Sequence, residues 1–220
     1  MALRLVTAPT DFPLALADAK AHLRVTDNTE DTLIQALIYA AIEWAENYTN
    51  LRFCTQTWEK ALNGFAPMGR LDLKQPLVNL AGLGFAQNGT GVLDALPLGR
   101  IELLGPLQSV VSVNYLDTSG NNQLLAGSAY QVDLYTQPGF ICPAWGVDWP
   151  VARLALNSVR VQFVVGFGAA ATVPASIKQA LLLLIGHLYL NREASSGFAI
   201  SEIPYGVEAL LARHRVITIP

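Results

Sequence analysis

The hydrophobic period changes twice along the chain and divides it into three parts. Near the start, Leu16, Ala19 and Leu23 fall three and four residues apart, which predicts a short helix over Leu16–Val25. Asp27 and Glu30 have capping-box spacing, with Asn28 as a rival cap for a second helix. Beyond them Leu33, Leu37, Ala41, Trp44, Ala45 and Tyr48 recur at helical intervals, with Glu43, Glu46 and Asn47 between. That pattern predicts one amphipathic helix of about 20 residues, ~30 Å long, ended by Thr49-Asn50.

From residue 55 the period drops to two. Val111, Val113 and Tyr115 alternate with Ser112 and Asn114, a half-buried strand. Asp117–Asn122 reads as a turn, and Tyr130 and Val132 read as a strand returning from it. Val159, Val161 and Phe163 alternate with Arg160 and Gln162. Shorter strands are expected at Gln56–Ala61, Arg70–Leu73 and Arg100–Leu104, and residues 76–99 lack periodicity and read as a loop. Gly and Pro interrupt every gap, the mark of an antiparallel β region and not of βαβ units.

Helical spacing returns after Pro174, where the first turn tolerates proline. Ile177, Leu181, Leu184 and Leu188 form a core stripe that Leu182, Leu183, Ile185 and Leu190 widen, so this helix is expected to be buried on most sides. Val207–Arg213 reads as a short helix and Val216–Pro220 as an apolar, extended tail. The expected class is α+β: N- and C-terminal helices form one layer, with an antiparallel β region inserted between them. The parts are 1–54, 55–170 and 171–220, joined in one composite domain.

Charge sharpens this picture. Only 14% of the 220 residues are Asp, Glu, Lys or Arg, where soluble domains carry ~25%. A chain so poor in charge has surplus apolar surface for a partner, such as another copy, to cover. Net charge is −3 with no cluster of Lys and Arg, which argues against binding through phosphate neutralisation. The longest apolar run, Leu181–Leu190, contains Gly186 and His187 and is half the length of a membrane span. Cys54 and Cys142 make no disulfide framework and read as buried thiols of a reducing cytoplasm.

No catalytic or metal-binding set emerges. Gly166-Phe167-Gly168-Ala169-Ala170-Ala171 mimics a dinucleotide loop, but Thr172, Val173 and Pro174 separate it from the helix whose N-terminus would have to meet the pyrophosphate. His22, His187 and His214 lie far apart and lack a second ligand at metal spacing; His187 reads as a hydrogen-bonded interior group. Trp44, Trp58, Trp145 and Trp149 could form a sugar platform, but read more simply as anchors in a core or interface. No cofactor is expected.

Leu16-Ala17-Asp18-Ala19-Lys20-Ala21-His22-Leu23-Arg24-Val25, followed by Asp31-Thr32-Leu33-Ile34 and Tyr48-Thr49-Asn50, resembles the opening of tailed-phage head–tail connector proteins. Thr55-Gln56-Thr57-Trp58, Gly105-Pro106-Leu107-Gln108-Ser109-Val110, Tyr115-Leu116-Asp117 and Gly166-Phe167-Gly168 continue the resemblance. So do Val173–Ala180, Asn191-Arg192-Glu193 and Pro204–Leu211. Asp18 stands where the family usually has Glu, and residues 70–99 exceed the family's usual link.

The resemblance implies a structural virion protein and not an enzyme, assembled in the host cytoplasm as a ring of about a dozen copies under the portal. It would join the portal to a neck or tail-completion protein and enclose a DNA channel without sequence-specific binding and without a membrane. Ring contacts are expected at Leu33, Leu37, Trp44, Leu182, Leu183 and Tyr189, and portal docking at Val207, Leu210, Leu211, Val216, Ile217 and Ile219. Exposed apolar surface should then lie on opposite flanks and at the C-terminus. The alternatives are another neck or tail-completion protein, or a β-domain module binding carbohydrate through its tryptophans.

Overall fold

The computed structural model of the chain describes residues 2–65, 99–191 and 205–216. The strand expected at Arg70–Leu73 lies outside these residues, as does the loop expected at 76–99 apart from Gly99. The elements are β1 (Ala2–Thr7), α1 (Leu16–Leu23), α2 (Asp31–Thr49), β2 (Gln56–Leu62), β3 (Ile101–Glu102) and β4 (Leu107–Leu116). There follow β5 (Asn122–Leu124), β6 (Tyr130–Asp133), β7 (Phe140–Pro143), β8 (Val159–Val165), α3 (Ala175–Leu190) and α4 (Tyr205–Ala212). One sheet runs β1-β2-β8-β4-β5 and a second β3-β7-β6, so the described fold is α+β as expected. The chain forms two compact units, each treated in turn.

The helical unit comprises Leu5–Trp58, Leu104–Ser109 and Val164–Pro220. Here α3 packs against α1, α2 and α4, so helices from both ends of the sequence share one core. In α3 the buried side chains are Ile177, Ala180, Leu181, Leu184 and Ile185, close to the expected stripe. In α2 the buried face is Ile34, Ile38, Ala41, Ile42, Ala45 and Thr49. This is about one residue round the helix from the expected stripe, which leaves Leu33, Leu37, Trp44 and Tyr48 half-buried on its flank. The larger, amphipathic side chains sit at the boundary, where a polar edge stays wet.

The expected capping box of α2 does not form. Glu30 occupies the cap position without a side-chain cap bond, because Tyr189 donates its hydroxyl to the Glu30 carboxylate. Asp27 instead accepts the Thr29 N–H at 3.0 Å, and Lys20 Nζ takes Asn28 Oδ1 at 2.7 Å and Asp31 Oδ1 at 2.6 Å. Asp27 is thus engaged by the local Thr29, and Asn28 and Glu30 by residues of other helices. The far end behaves as expected: Asn50 closes α2 in the left-handed conformation, φ 56°.

The helical unit is stapled where its discontinuous segments meet. Arg52 N–H donates to Gly105 O at 2.9 Å, Phe167 N–H to Phe53 O at 2.9 Å, Thr55 N–H to Gly168 O at 3.1 Å and Gly166 N–H to Pro106 O at 2.9 Å. Gly166 has φ +123°, and a Cβ there would lie 2.5 Å from the backbone C and O of Cys54. The Gly-Phe-Gly motif is thus a backbone-contact device.

The strand unit comprises Met1–Arg4, Glu59–Leu103 and Val110–Phe163. Val159, Val161 and Phe163 alternate inward as expected and are buried with Val113, Ile101, Leu103 and Ile141. The turn after β4 is set by Asp117, which accepts the Asn121 N–H at 2.9 Å and Gln123 Nε2 at 2.9 Å. It returns the chain at once as β5, with Asn114, Tyr115 and Leu116 opposite Leu124, Gln123 and Asn122. The expected return partner, Tyr130–Asp133, instead pairs with β7 in the second sheet. β5 has only three residues, two of them polar, too few to show a period. Trp149 stacks on Phe65 with centroids 4.8 Å apart and donates Nε1–H to Gly99 O at 2.7 Å.

Gly166→Ala combines positive-φ strain with overpacking and should cost about 3 kcal/mol or more, read as a lower urea midpoint. Gly127→Ala, where a Cβ meets nothing within 4 Å, should stay within about 0.5 kcal/mol of the parent.

Candidate interaction site

The helical unit carries a concavity of about 320 Å³ beside the C-terminal half of α2. Leu5, Pro9, Phe12, Pro13, Ile42 and Trp58 give it apolar walls, and Asp11, Glu43, Glu46 and Arg52 give it charge. Glu46 is the pivot. Its Oε1 accepts the Phe53 N–H at 2.7 Å and Gln56 Nε2 at 3.5 Å, and its Oε2 lies 3.7 Å from Arg52 Nη1. Arg52 lies 5.1 Å above the Trp58 ring and donates to Leu51 O at 3.0 Å; its Nε is buried without an acceptor. Trp58 in turn donates Nε1–H to Gln56 Oε1 at 2.9 Å.

Burial pushes the Glu46 carboxyl above its ordinary pKa, although the Phe53 N–H, Arg52 and Gln56 pull the other way. Cys54 also lines the concavity, and burial with the charges of Asp11 and Glu46 raises its thiol to about 11. It is therefore almost wholly protonated at neutral pH and a poor nucleophile. Cys142 is only half-buried, and burial raises its thiol too. Ser176 Oγ and His214 Nε2 are 2.7 Å apart, a contact that ties the segment after α4 to the first turn of α3. His187 is half-buried, with Nδ1 3.3 Å from Asn191 Nδ2. Among the described residues no group of three or more His, Cys, Asp and Glu could hold a metal ion, and no helix is long and apolar enough to cross a membrane.

The residues expected at the ring contact lie on the rim of the helical core. Leu37, Trp44, Leu182, Leu183 and Tyr189 are half-buried against it, and Leu33 is half-buried as well. Trp44 stacks on Tyr48 at 5.2 Å, and the Arg215 guanidinium lies 5.1 Å over Tyr48.

The expected docking residues divide differently. Val207, Leu211 and Val216 are buried in the unit's own core, and Leu210 packs half-buried against it. Val216 N–H donates to Thr49 O, and Asn50 Nδ2 to Val216 O, both at 2.9 Å. The segment expected to lack a core of its own is therefore anchored as far as Val216, because α4 packs on α3 and α2. Ile217 and Ile219 lie outside the described residues.

The strand unit exposes what periodicity did not reveal. Tyr135 is 99% exposed, Trp145 96% and Leu154 91%, and Leu124, Val151 and Leu156 are also largely open. Their flanking segments are irregular and rich in Gly and Pro, so no alternation marked them as outward. Asp133 organises the loop beneath Tyr135, accepting the Tyr135 N–H at 2.8 Å and the Thr136 hydroxyl at 2.9 Å. Trp149 is stacked on Phe65, and in the helical unit Trp58 lies beneath Arg52.

Residues 14–76 match the model of the phage gp6-like head–tail connector protein family. The whole chain superposes on a chain from the neck of an empty gene transfer agent (GTA) particle computed with C6 symmetry, with TM-score 0.72 and 21% identity. A chain of the virion of the native GTA particle matches with TM-score 0.71, and one from the native neck computed with C12 symmetry with 0.66, both at 21% identity. Each comparison covers 100% of this chain and 98% of the other. No curated protein sequence matches significantly.

The raised pKa of Glu46 has a thermodynamic consequence. Between its ordinary and folded-state pKa the folded protein holds a proton that the unfolded chain has released, so this group's contribution to stability falls as pH rises. Glu46→Gln removes that titration. The melting temperature of Glu46→Gln relative to the parent should therefore climb between about pH 4 and pH 7; a pH-independent difference would refute the assignment.

Proposed function

We propose that this chain is a structural neck component, a head–tail connector that forms a ring beneath the portal of a tailed phage or gene-transfer particle. The observation that carries this reading is the full-length likeness to neck chains, together with the connector-family match over residues 14–76. The ring is of about a dozen copies, closed by head-to-tail contacts, each copy offering two different faces. The half-buried rim of Leu33, Leu37, Trp44, Leu182, Leu183 and Tyr189 serves one of them. The portal sits on one side and a neck or tail-completion protein on the other, and the virion component is assembled in the host cytoplasm.

A net charge of −3 without a basic cluster suits a conduit that lets DNA pass without gripping its phosphates. The apolar tail beyond Val216 docks on the portal, with Val216 as its fixed base. Polar and charged surfaces elsewhere need no catalytic role in this reading.

Deleting residues 217–220 leaves Val216 and its two hydrogen bonds in place. The truncated chain should keep its melting temperature and its ring on native mass spectrometry, while its affinity for the portal falls by about tenfold or more. Unchanged portal affinity would remove the docking role of the tail. A chain that stays monomeric and does not associate with a portal would overturn the connector reading itself.

A further inference from the structure

We propose that in the ring the two open edges of the five-stranded sheet join between neighbouring copies, β1 of one subunit adding to β5 of the next. This deepens the connector reading and rests on it. The edge strands are β1, six residues long, of which Ala2–Arg4 belong to the strand unit, and β5, the three residues Asn122–Leu124. Among the described residues no strand flanks either one on its outer side, and Ala2–Arg4 and Asn122–Leu124 are all exposed.

An edge strand exposes unpaired N–H and C=O groups, and monomeric proteins blunt such edges with proline, free charges or a covering element. Neither segment contains proline. Their polar side chains bond within their own unit: Arg4, still 73% exposed at its side chain, to Glu59 at 3.0 Å, Asn122 to Arg160 at 3.0 Å and Gln123 to Asp117 at 2.9 Å. That leaves Leu3 and Leu124 beside bare backbone, 44% and 69% exposed.

A second copy is the occupant that this arrangement fits. A head-to-tail contact requires two different surfaces on one chain, and closure of the ring uses each surface once. Two edges of one sheet meet that requirement, and their pairing around a ring leaves no edge open. Main-chain hydrogen bonds supply the attraction, as in strand addition generally, and the leucines cover one another.

The test uses the full chain with Cys142→Ser. Leu3→Cys is combined in turn with Asn122→Cys, Gln123→Cys and Leu124→Cys, since cross-strand Cα spacings suit a disulfide. Mild oxidation should give a ladder of linked subunits in at least one pair, about tenfold above either single variant. Leu124→Lys should weaken ring formation by about tenfold, and adding Leu3→Glu should restore it. A closed ring on native mass spectrometry with no ladder in any pair, and with Leu124→Lys unaffected, overturns the edge pairing and leaves the connector reading standing. A chain monomeric at every concentration and on the portal alike overturns both.

Discussion

The helical unit depends on one constraint: a chain that leaves its helices at Phe53 and re-enters at Val164 must be held at both points. Four main-chain hydrogen bonds link the segments 52–55, 105–106 and 166–168 to one another, and the Gln108 side chain adds a fifth contact to Gly166 O at 2.8 Å. The Glu46 carboxylate satisfies the Phe53 N–H from the side of α2. With entry and exit fixed, α3 is delivered onto α1 and α2, and the buried stripes of α2 and α3 can share a core. An insertion of about a hundred residues adds only slowly to the entropy of closing that loop. The strength of the staple therefore matters more than the length of what it spans.

Glu46 and Arg52 illustrate what the staple costs. Removing a carboxylate and a guanidinium from water carries a penalty that their attraction only partly offsets, and a separation of 3.7 Å is longer than a direct charge-assisted hydrogen bond. The raised pKa of Glu46 records that imbalance. The pair is better understood through the Phe53 N–H and Leu51 O that its members satisfy than as a source of net stability. An apolar replacement at Glu46 would strand that N–H, the costlier error in a buried setting.

Much of this was legible in the sequence, and the failures share a physical cause. Helices α2 and α3 have enough turns for their period to identify them, and β8 has enough alternations to predict Val159, Val161 and Phe163 as inward. β5 has three residues and no period to read. The capping spacing at Asn28 and Glu30 is local, whereas Lys20 and Tyr189 compete for them from other helices, and Asp27 closes a local turn on Thr29 instead. The one-residue rotation of α2 has the same origin: helical spacing gives a stripe, but its partner decides which half is buried. The apparent dinucleotide loop is explained by Cys54 pressing against Gly166, a contact that no local pattern contains. Hydropathy alone does not separate Val207, Leu211 and Val216, which the helical core buries, from a free tail.

The shortage of charge can now be placed. The apolar residues nearest the described C-terminal end are mostly consumed by the helical core, so that end does not carry the surplus. It lies largely in the strand unit, on Leu124, Tyr135, Trp145, Val151, Leu154 and Leu156, within segments held by backbone and Asp-centred bonds and not by burial of their own side chains. Sparse charge and an exposed apolar surface are therefore two aspects of one property. Both fit the proposed connector reading, in which neighbours complete the polar boundary of each chain.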